Sequence, residues 1–212
     1  ISCILLYIEF FVLIFLKVIT KDKGGLFSFY KNPVILIFHW IITISIWIIW
    51  EIFVIKMNDK AKMSILNFSF KRNAALFLII SIIISIIFSK IISGEIKMKI
   101  CLEKMGFEKM YGKTWSVPLI TLQIFYYFSE LFLVSIIFFV FQKIGEEITS
   151  LTFLPWGGIF IGIYWGLAHF FTGHAKAAFP LFIFSILIGF FTLLGNKNFF
   201  ILYLSLIFLY IL

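Results

Sequence analysis

Apolar residues run along this chain in blocks too long and too uninterrupted for an amphipathic helix or an alternating strand, and short polar intervals separate the blocks. A stretch such as Pro33–Ile55 keeps apolar side chains on every face, with His39, Ser45 and Glu51 among its few exceptions. A helix that is apolar all round is either the core of a large protein or a membrane span, and a span needs about 20 such residues. Seven segments approach that requirement: Ile1–Leu16, Pro33–Ile55, Ala74–Ile92, Val117–Gln142, Gly157–Phe171, Ala177–Leu194 and Phe199–Leu212. The pattern predicts an all-α, polytopic membrane helix bundle with about seven spans, some of them short, forming a single transmembrane domain over residues 1–212. Gly157–Phe171, at fifteen residues, is short for a span and is expected to be flanked by other helices.

Two intervals are lysine-rich, Lys56–Asn73 and Glu95–Ser116. In the second, Ile96, Met98, Ile100, Leu102 and Met105 alternate with Lys97, Lys99 and Lys104, a mixture that suits either a helix lying in the headgroup layer or a solvated basic loop. Composition agrees with the pattern. Only 13% of the 212 residues are charged and 63% are hydrophobic, with a mean hydropathy of +1.13, whereas a soluble domain carries about 25% charged residues. The net charge of +8 falls on lysines between the spans, which points to membrane lipid as a partner and excludes a nucleic-acid module. Arg72 is the one arginine, and bidentate phosphate recognition favours arginine. The lysines occur on alternating sides and set no orientation. Ile1–Leu16 has no charged leading region or small-residue cleavage site, so a span is expected there rather than a signal peptide. Cys3 and Cys101 form no C-x-x-C pair, and neither a disulfide framework nor a cofactor motif is indicated.

Ionisable residues at membrane depth are costly, about 2.5–3.5 kcal/mol each on insertion scales, and mark function. Glu9, His39, Glu51, Glu130 and His169 fall inside expected spans, and Glu146, Glu147 and His174 lie at span ends. Glu9, His39 and Glu51 either pair with one another or face water. Glu130 stands near the middle of Val117–Gln142. At 100° per residue Gln123 shares its face, with Tyr126 and Tyr127 on either side. A buried carboxylate among phenol and amide donors suits a general base; the same stripe also suits interhelical hydrogen bonding. Gly158, Gly162 and Gly166 recur every four residues and form a smooth strip for a close helix neighbour, and His169 projects onto that strip. His174 would point about 140° from His169 on a continuing helix, and no H-E-x-x-H pattern is present, so no metal site is expected.

Trp165-Gly166-Leu167-Ala168-His169 has the form of an F-x-x-x-H motif with tryptophan in place of phenylalanine. Glu130 precedes His169 by 39 residues, and Gly195-Asn196-Lys197-Asn198 follows an apolar helix as a short polar turn. On these residues the stretch Glu130–Asn198, within a core of residues 117–198, resembles the CPBP family, the CAAX proteases and bacteriocin-processing enzymes also called abortive-infection proteins. The resemblance implies an all-helical intramembrane endopeptidase in which a glutamate activates water and a histidine supports the attack. It selects Glu130 and His169, with Glu146 and Glu147 as the alternative acids. Tyr126, Tyr127, Gln123, Trp165 and His174 would line the cavity, a membrane-associated peptide or protein would be the substrate, and no cofactor is implied. The chain departs from the family pattern in three places. Ser129 stands for the first glutamate of E-E-x-x-x-R, no arginine follows either acidic candidate, and Phe199–Leu212 carries no histidine. Two other expectations therefore stand beside the peptidase: an inactive relative that binds a peptide, lipid or partner protein, and a small transporter working through Glu9, His39 or Glu51.

Overall fold

The computed structural model describes residues 7–20, 31–60, 72–93, 98–171 and 175–211. Eight α-helices and no strand occur among the described residues: α1 Ile8–Thr20, α2 Pro33–Lys60, α3 Arg72–Ser93, α4 Lys99–Tyr111, α5 Lys113–Thr149, α6 Trp156–Phe171, α7 Ala175–Leu194 and α8 Phe199–Ile211. The all-α expectation is met. Of the seven expected spans, two described helical stretches are long and apolar enough to cross a membrane by length and composition, Pro33–Met57 and Lys113–Thr149. The apolar parts of the others are shorter, such as Ala75–Ile84, Leu181–Leu194 and Phe199–Phe208. At 1.5 Å per residue, the 16 residues of α6 reach about 24 Å, below the roughly 30 Å of a hydrocarbon core. Within the interval Glu95–Ser116, residues 99–111 form a helix, while most of the other lysine-rich interval lies outside the described residues.

The chain divides into two compact units. The first comprises residues 1–56 and 98–133, and so holds α1, α4, the first part of α5 and nearly all of α2. Local chemistry sets its helix ends. Asn32 caps α2 by accepting the Val34 N–H on its side-chain oxygen at 3.0 Å, and Pro33 follows at the position where a missing N–H costs nothing. Gly112 separates α4 from α5 with φ +80°, a conformation that favours glycine, while its N–H closes α4 on the Glu108 carbonyl at 3.0 Å. The core is aromatic. Trp47 is fully buried and lies 4.9 Å from the Tyr126 ring, and Trp40 meets Phe107 edge-on at 6.0 Å.

The second unit holds α3, the remainder of α5, and α6 to α8. Glycines bring α6 close against α7. A Cβ added at Gly158 would come within 2.5 Å of the Ser185 carbonyl, and one at Gly162 within 2.8 Å of the Phe182 ring. The glycine strip therefore acts as a close-packing surface at these two positions; the side of α6 around residue 166 lies outside the described side chains. Phe141 of α5 stacks face to face on Phe160 of α6, with ring centres 3.3 Å apart. Asn198 caps α8 by accepting the Ile201 N–H at 3.2 Å, and Phe199, Ile201 and Leu202 are buried behind it. Outward faces are strongly apolar. On α2 alone Phe38, Ile41, Ile48, Ile49, Ile52 and Phe53 are exposed.

Candidate functional site

Glu130 belongs to a polar cluster built by α4 and α5 within the first unit. Gln123 and Tyr127 lie one turn apart on α5, and the Gln123 amide donates to the Tyr127 hydroxyl at 2.7 Å. That hydroxyl donates in turn to Glu103 of α4. Lys99, one turn before Glu103, sits 3.8 Å from its carboxylate and places its ammonium 4.6 Å from the centre of the Tyr127 ring, a cation–π geometry. Glu130 is half-buried, and its charge acts on both Lys99 and Tyr127.

Burial dominates the titration of the α4 pair. It pulls the Lys99 ammonium below the usual lysine range, while the negative charges of Glu103 and then Glu130 oppose the shift. Burial pushes the Glu103 carboxyl up, against the Lys99 charge and the hydrogen bond from Tyr127. Oε2 of Glu103 and Oε1 of Gln123 are buried and have no hydrogen-bond partner among the described residues. The cluster thus combines two carboxylates, one amine, one phenol and one amide, with acceptor atoms left over.

The sequence-predicted residues separate into groups. Gln123, Tyr127 and Glu130 share the cluster. Tyr126 is turned elsewhere: it is buried, packs on Trp47 and donates its hydroxyl to the Glu9 carboxylate, so it is a core residue of the first unit. Glu9 and His39 do come together, with His39 Nε2 lying 3.3 Å from the Glu9 backbone carbonyl. His169 and Trp165 have helical backbones in α6, but their side chains lie outside the described residues, as does His174 altogether.

Glu146 and Glu147 occupy different surroundings in the second unit. Glu147 is 67% exposed at the end of α5 and pairs with Lys143 at 3.9 Å. Glu146 accepts from Lys197 at 2.6 Å and from the Gln142 amide at 2.6 Å. Gln142 binds the Leu154 carbonyl at 2.9 Å with the same amide group and accepts the Gly157 N–H on its oxygen at 3.0 Å. Gln142 thereby satisfies a first-turn N–H of α6 that has no helical partner, and Glu146 with Lys197 fastens the α7–α8 turn to the same point. Asn196 and Lys197 make this reach with φ of 61° and 53°, a left-handed conformation that non-glycine residues seldom adopt.

The latch also fixes a distance. His169 stands twelve residues beyond Gly157 on α6, about 18 Å along the axis at 1.5 Å per residue. The Gln142–Gly157 link therefore lies about three helical turns from residue 169 along α6. Lys99, Glu103, Gln142 and Lys197 are the polar residues that sequence reasoning did not single out for these sites. The four-residue spacing of Lys99 and Glu103 was the available signal for the first two. In comparisons with protein-family models, curated proteins and solved structures, none matches the chain.

Proposed function

We propose that the chain is a multi-pass integral membrane protein of CPBP type that hydrolyses a peptide bond at the membrane, with Glu130 as the water-activating carboxylate and, as the resemblance implies, His169 as the histidine that supports the attack. Support for membrane insertion comes from the exposed apolar faces of α1, α2 and α3, where Phe15, Ile49 and Ile79 are each more than half exposed; surfaces of this kind mark contact with lipid or protein. One observation carries the choice of Glu130. Glu146 is tied into the Gln142–Lys197 latch near the start of α6, and Glu147 is solvated, which leaves Glu130 as the half-buried acid set among polar partners.

In the proposed reaction Glu130 takes a proton from water as the water oxygen attacks the scissile carbonyl, and the oxygen that becomes negative needs a hydrogen-bond donor, the role the resemblance gives to a histidine. The carbon–nitrogen bond then breaks, and the proton held by Glu130 passes to the leaving amine. Lys99, on which the Glu130 charge acts, supplies a positive charge where no arginine is present.

The test is cleavage of a membrane-anchored fluorogenic peptide by the full chain in liposomes. Glu130→Gln and His169→Ala are each expected to slow cleavage by about 100-fold or more, the usual contribution of a positioned acid–base group, while Glu147→Gln cleaves at the wild-type rate. Equal rates for wild type and Glu130→Gln would remove Glu130 from the mechanism. The engagement of Glu130 with Lys99 favours a second reading, in which the carboxylate is held in an ion pair and the chain binds a peptide, lipid or partner without cleaving it. Absence of any cleavage by the wild type, with specific binding of the same peptide, would select that reading.

A further inference from the structure

α4 has a face that the proposed peptidase does not use. Its inner side turns Glu103 toward Tyr127 and buries Phe107 against Trp40 of α2. At 100° per residue Cys101, Leu102 and Met105 fall within about 100° of one another on the opposite side, and Met98 stands one turn before Leu102. All four are exposed. The charges beside this stripe do not balance. Glu103 and Glu108 each lie 3.8 Å from the lysine one turn earlier, Lys99 and Lys104, whereas no ion pair among the described residues engages Lys109 or Lys113, both exposed. Lys109 follows Met105 by one turn on the same face. The outer surface of α4 is therefore apolar along its length and positive at its C-terminal end.

The junction with α5 indicates what this surface meets. Gly112 joins α4 directly to α5, where Lys113 and Thr114 are exposed, Tyr111 and Trp115 are half-buried, and the apolar stretch begins at exposed Val117. Lysine, tyrosine and tryptophan gather where a span leaves the hydrocarbon. Gly112 stands five residues before Val117, about 7.5 Å at 1.5 Å per residue, and one headgroup layer is about 5–7.5 Å deep. The C-terminal end of α4 thus lies in that layer. An apolar stripe with lysines beside it binds a lipid surface through buried apolar area and attraction to negative headgroups. Lysine, a flexible point charge, meets scattered phosphates without needing a fixed fork geometry. We infer that the outer face of α4 is a docking surface for anionic phospholipid, with Met98, Cys101, Leu102 and Met105 against the upper acyl chains and Lys109 and Lys113 beside the headgroup phosphates. Docking there holds in place the helix that brings Lys99 and Glu103 to the Glu130 cluster. The inference rests on the membrane-spanning reading of α5 and is independent of the peptidase reading.

The test places a fluorescent probe on the stripe. Cys3→Ser leaves Cys101 as the one thiol, and a nitrobenzoxadiazole label there is read in the full chain in liposomes of phosphatidylcholine, alone or mixed equally with phosphatidylglycerol. A nitroxide near the top of a lipid acyl chain is expected to quench the label in the mixed vesicles. Each lysine near an anionic surface contributes about fivefold to the docking equilibrium. The docked-to-free ratio read from the quenching should therefore drop about fivefold in Lys109→Gln and in Lys113→Gln, and about 25-fold in phosphatidylcholine alone. Raising salt from about 0.1 M to 1 M, which shortens the screening length from about 10 Å to 3 Å, should lower the same ratio in the chain that keeps both lysines, so the test survives a lysine variant that fails to fold. A label quenched by aqueous iodide on both sides of the bilayer and not by the lipid nitroxide means a solvated face. A label shielded from both quenchers means that protein covers the stripe, as a second copy would. Either result overturns the inference, and so does equal lipid quenching in neutral and mixed vesicles. Carbonate extraction checks insertion separately: chain stripped from the vesicles removes the spanning reading, while retained chain with an unquenched label removes only the docking surface.

Discussion

At the scale of single residues, the α4–α5 cluster makes opposite demands on its two charged members. Burial raises the Glu103 carboxyl, so its contribution to stability is fully present below the ordinary carboxyl range and is lost as pH rises through its folded value. Burial lowers the Lys99 ammonium, so its contribution is present above the ordinary lysine range and is lost as pH falls through its folded value. The mutual attraction of the pair opposes both shifts, and the Tyr127 hydrogen bond opposes that of Glu103. Because Lys99 and Tyr127 both act to lower Glu103, Lys99→Met and Tyr127→Phe should each move the Glu103 titration further upward. Carboxyl carbon chemical shifts of the labelled protein in nanodiscs, followed against pH, report this directly. A downward shift in Lys99→Met would mean that the lysine stem desolvates Glu103 more than its charge attracts it. Half of this cluster was legible in the sequence. Gln123 and Glu130 are seven residues apart on a long apolar helix, and that spacing alone puts them on one face. Lys99 and Glu103 were hidden because their interval is equally consistent with the headgroup layer, and only tertiary packing turns them toward α5. The Glu146–Lys197 contact was less accessible still, since it depends on two consecutive left-handed residues, which no periodicity encodes.

At the scale of helices, the same residue type plays different parts according to what its backbone approaches. Gly158 lets α6 lie against α7 so closely that an added Cβ would meet the Ser185 carbonyl at 2.5 Å and the Gly189 Cα at 3.2 Å. Both are backbone atoms that cannot step aside without moving a helix. Gly158→Ala should therefore destabilise the protein by about 1–3 kcal/mol, the usual cost of overpacking. Gly106 in α4 meets nothing within 4 Å, so Gly106→Ala gains helix propensity and should stabilise by about 0.5–1 kcal/mol. Thermal unfolding of the two variants in detergent gives shifts of opposite sign if this reading is right. Equal destabilisation would show that α4 is more tightly enclosed than its surroundings indicate. The four-residue glycine repeat made the close face of α6 legible in advance, because a smooth strip has few other uses. Helix ends were less legible: the apolar pattern stops at Gln142, whereas α5 continues through Thr149 because the polar residues beyond it are good helix formers.

At the scale of the whole molecule, the exposed apolar surface sets a sharper criterion than composition does. In water, a lysine placed at an exposed position away from special features changes stability by less than about 0.5 kcal/mol. In a bilayer, the same lysine near the middle of a span costs about 2.5–3.5 kcal/mol on insertion scales, roughly a 100-fold change in partition at 1.4 kcal/mol per factor of ten. Ile49 is 69% exposed and stands inside the apolar stretch Pro33–Met57, well away from both of its ends. Ile49→Lys is therefore expected to reduce insertion of α2 strongly in a microsomal glycosylation-mapping assay. Met105, also more than half exposed, lies on α4, which is 13 residues long and too short to span. Met105→Lys should insert and extract like the wild type. Were both variants to behave alike, the exposed face of α2 would be covered by protein rather than lipid. The two positions are similar in exposure and receive the same new charge, so a difference between them can come only from the medium each one faces.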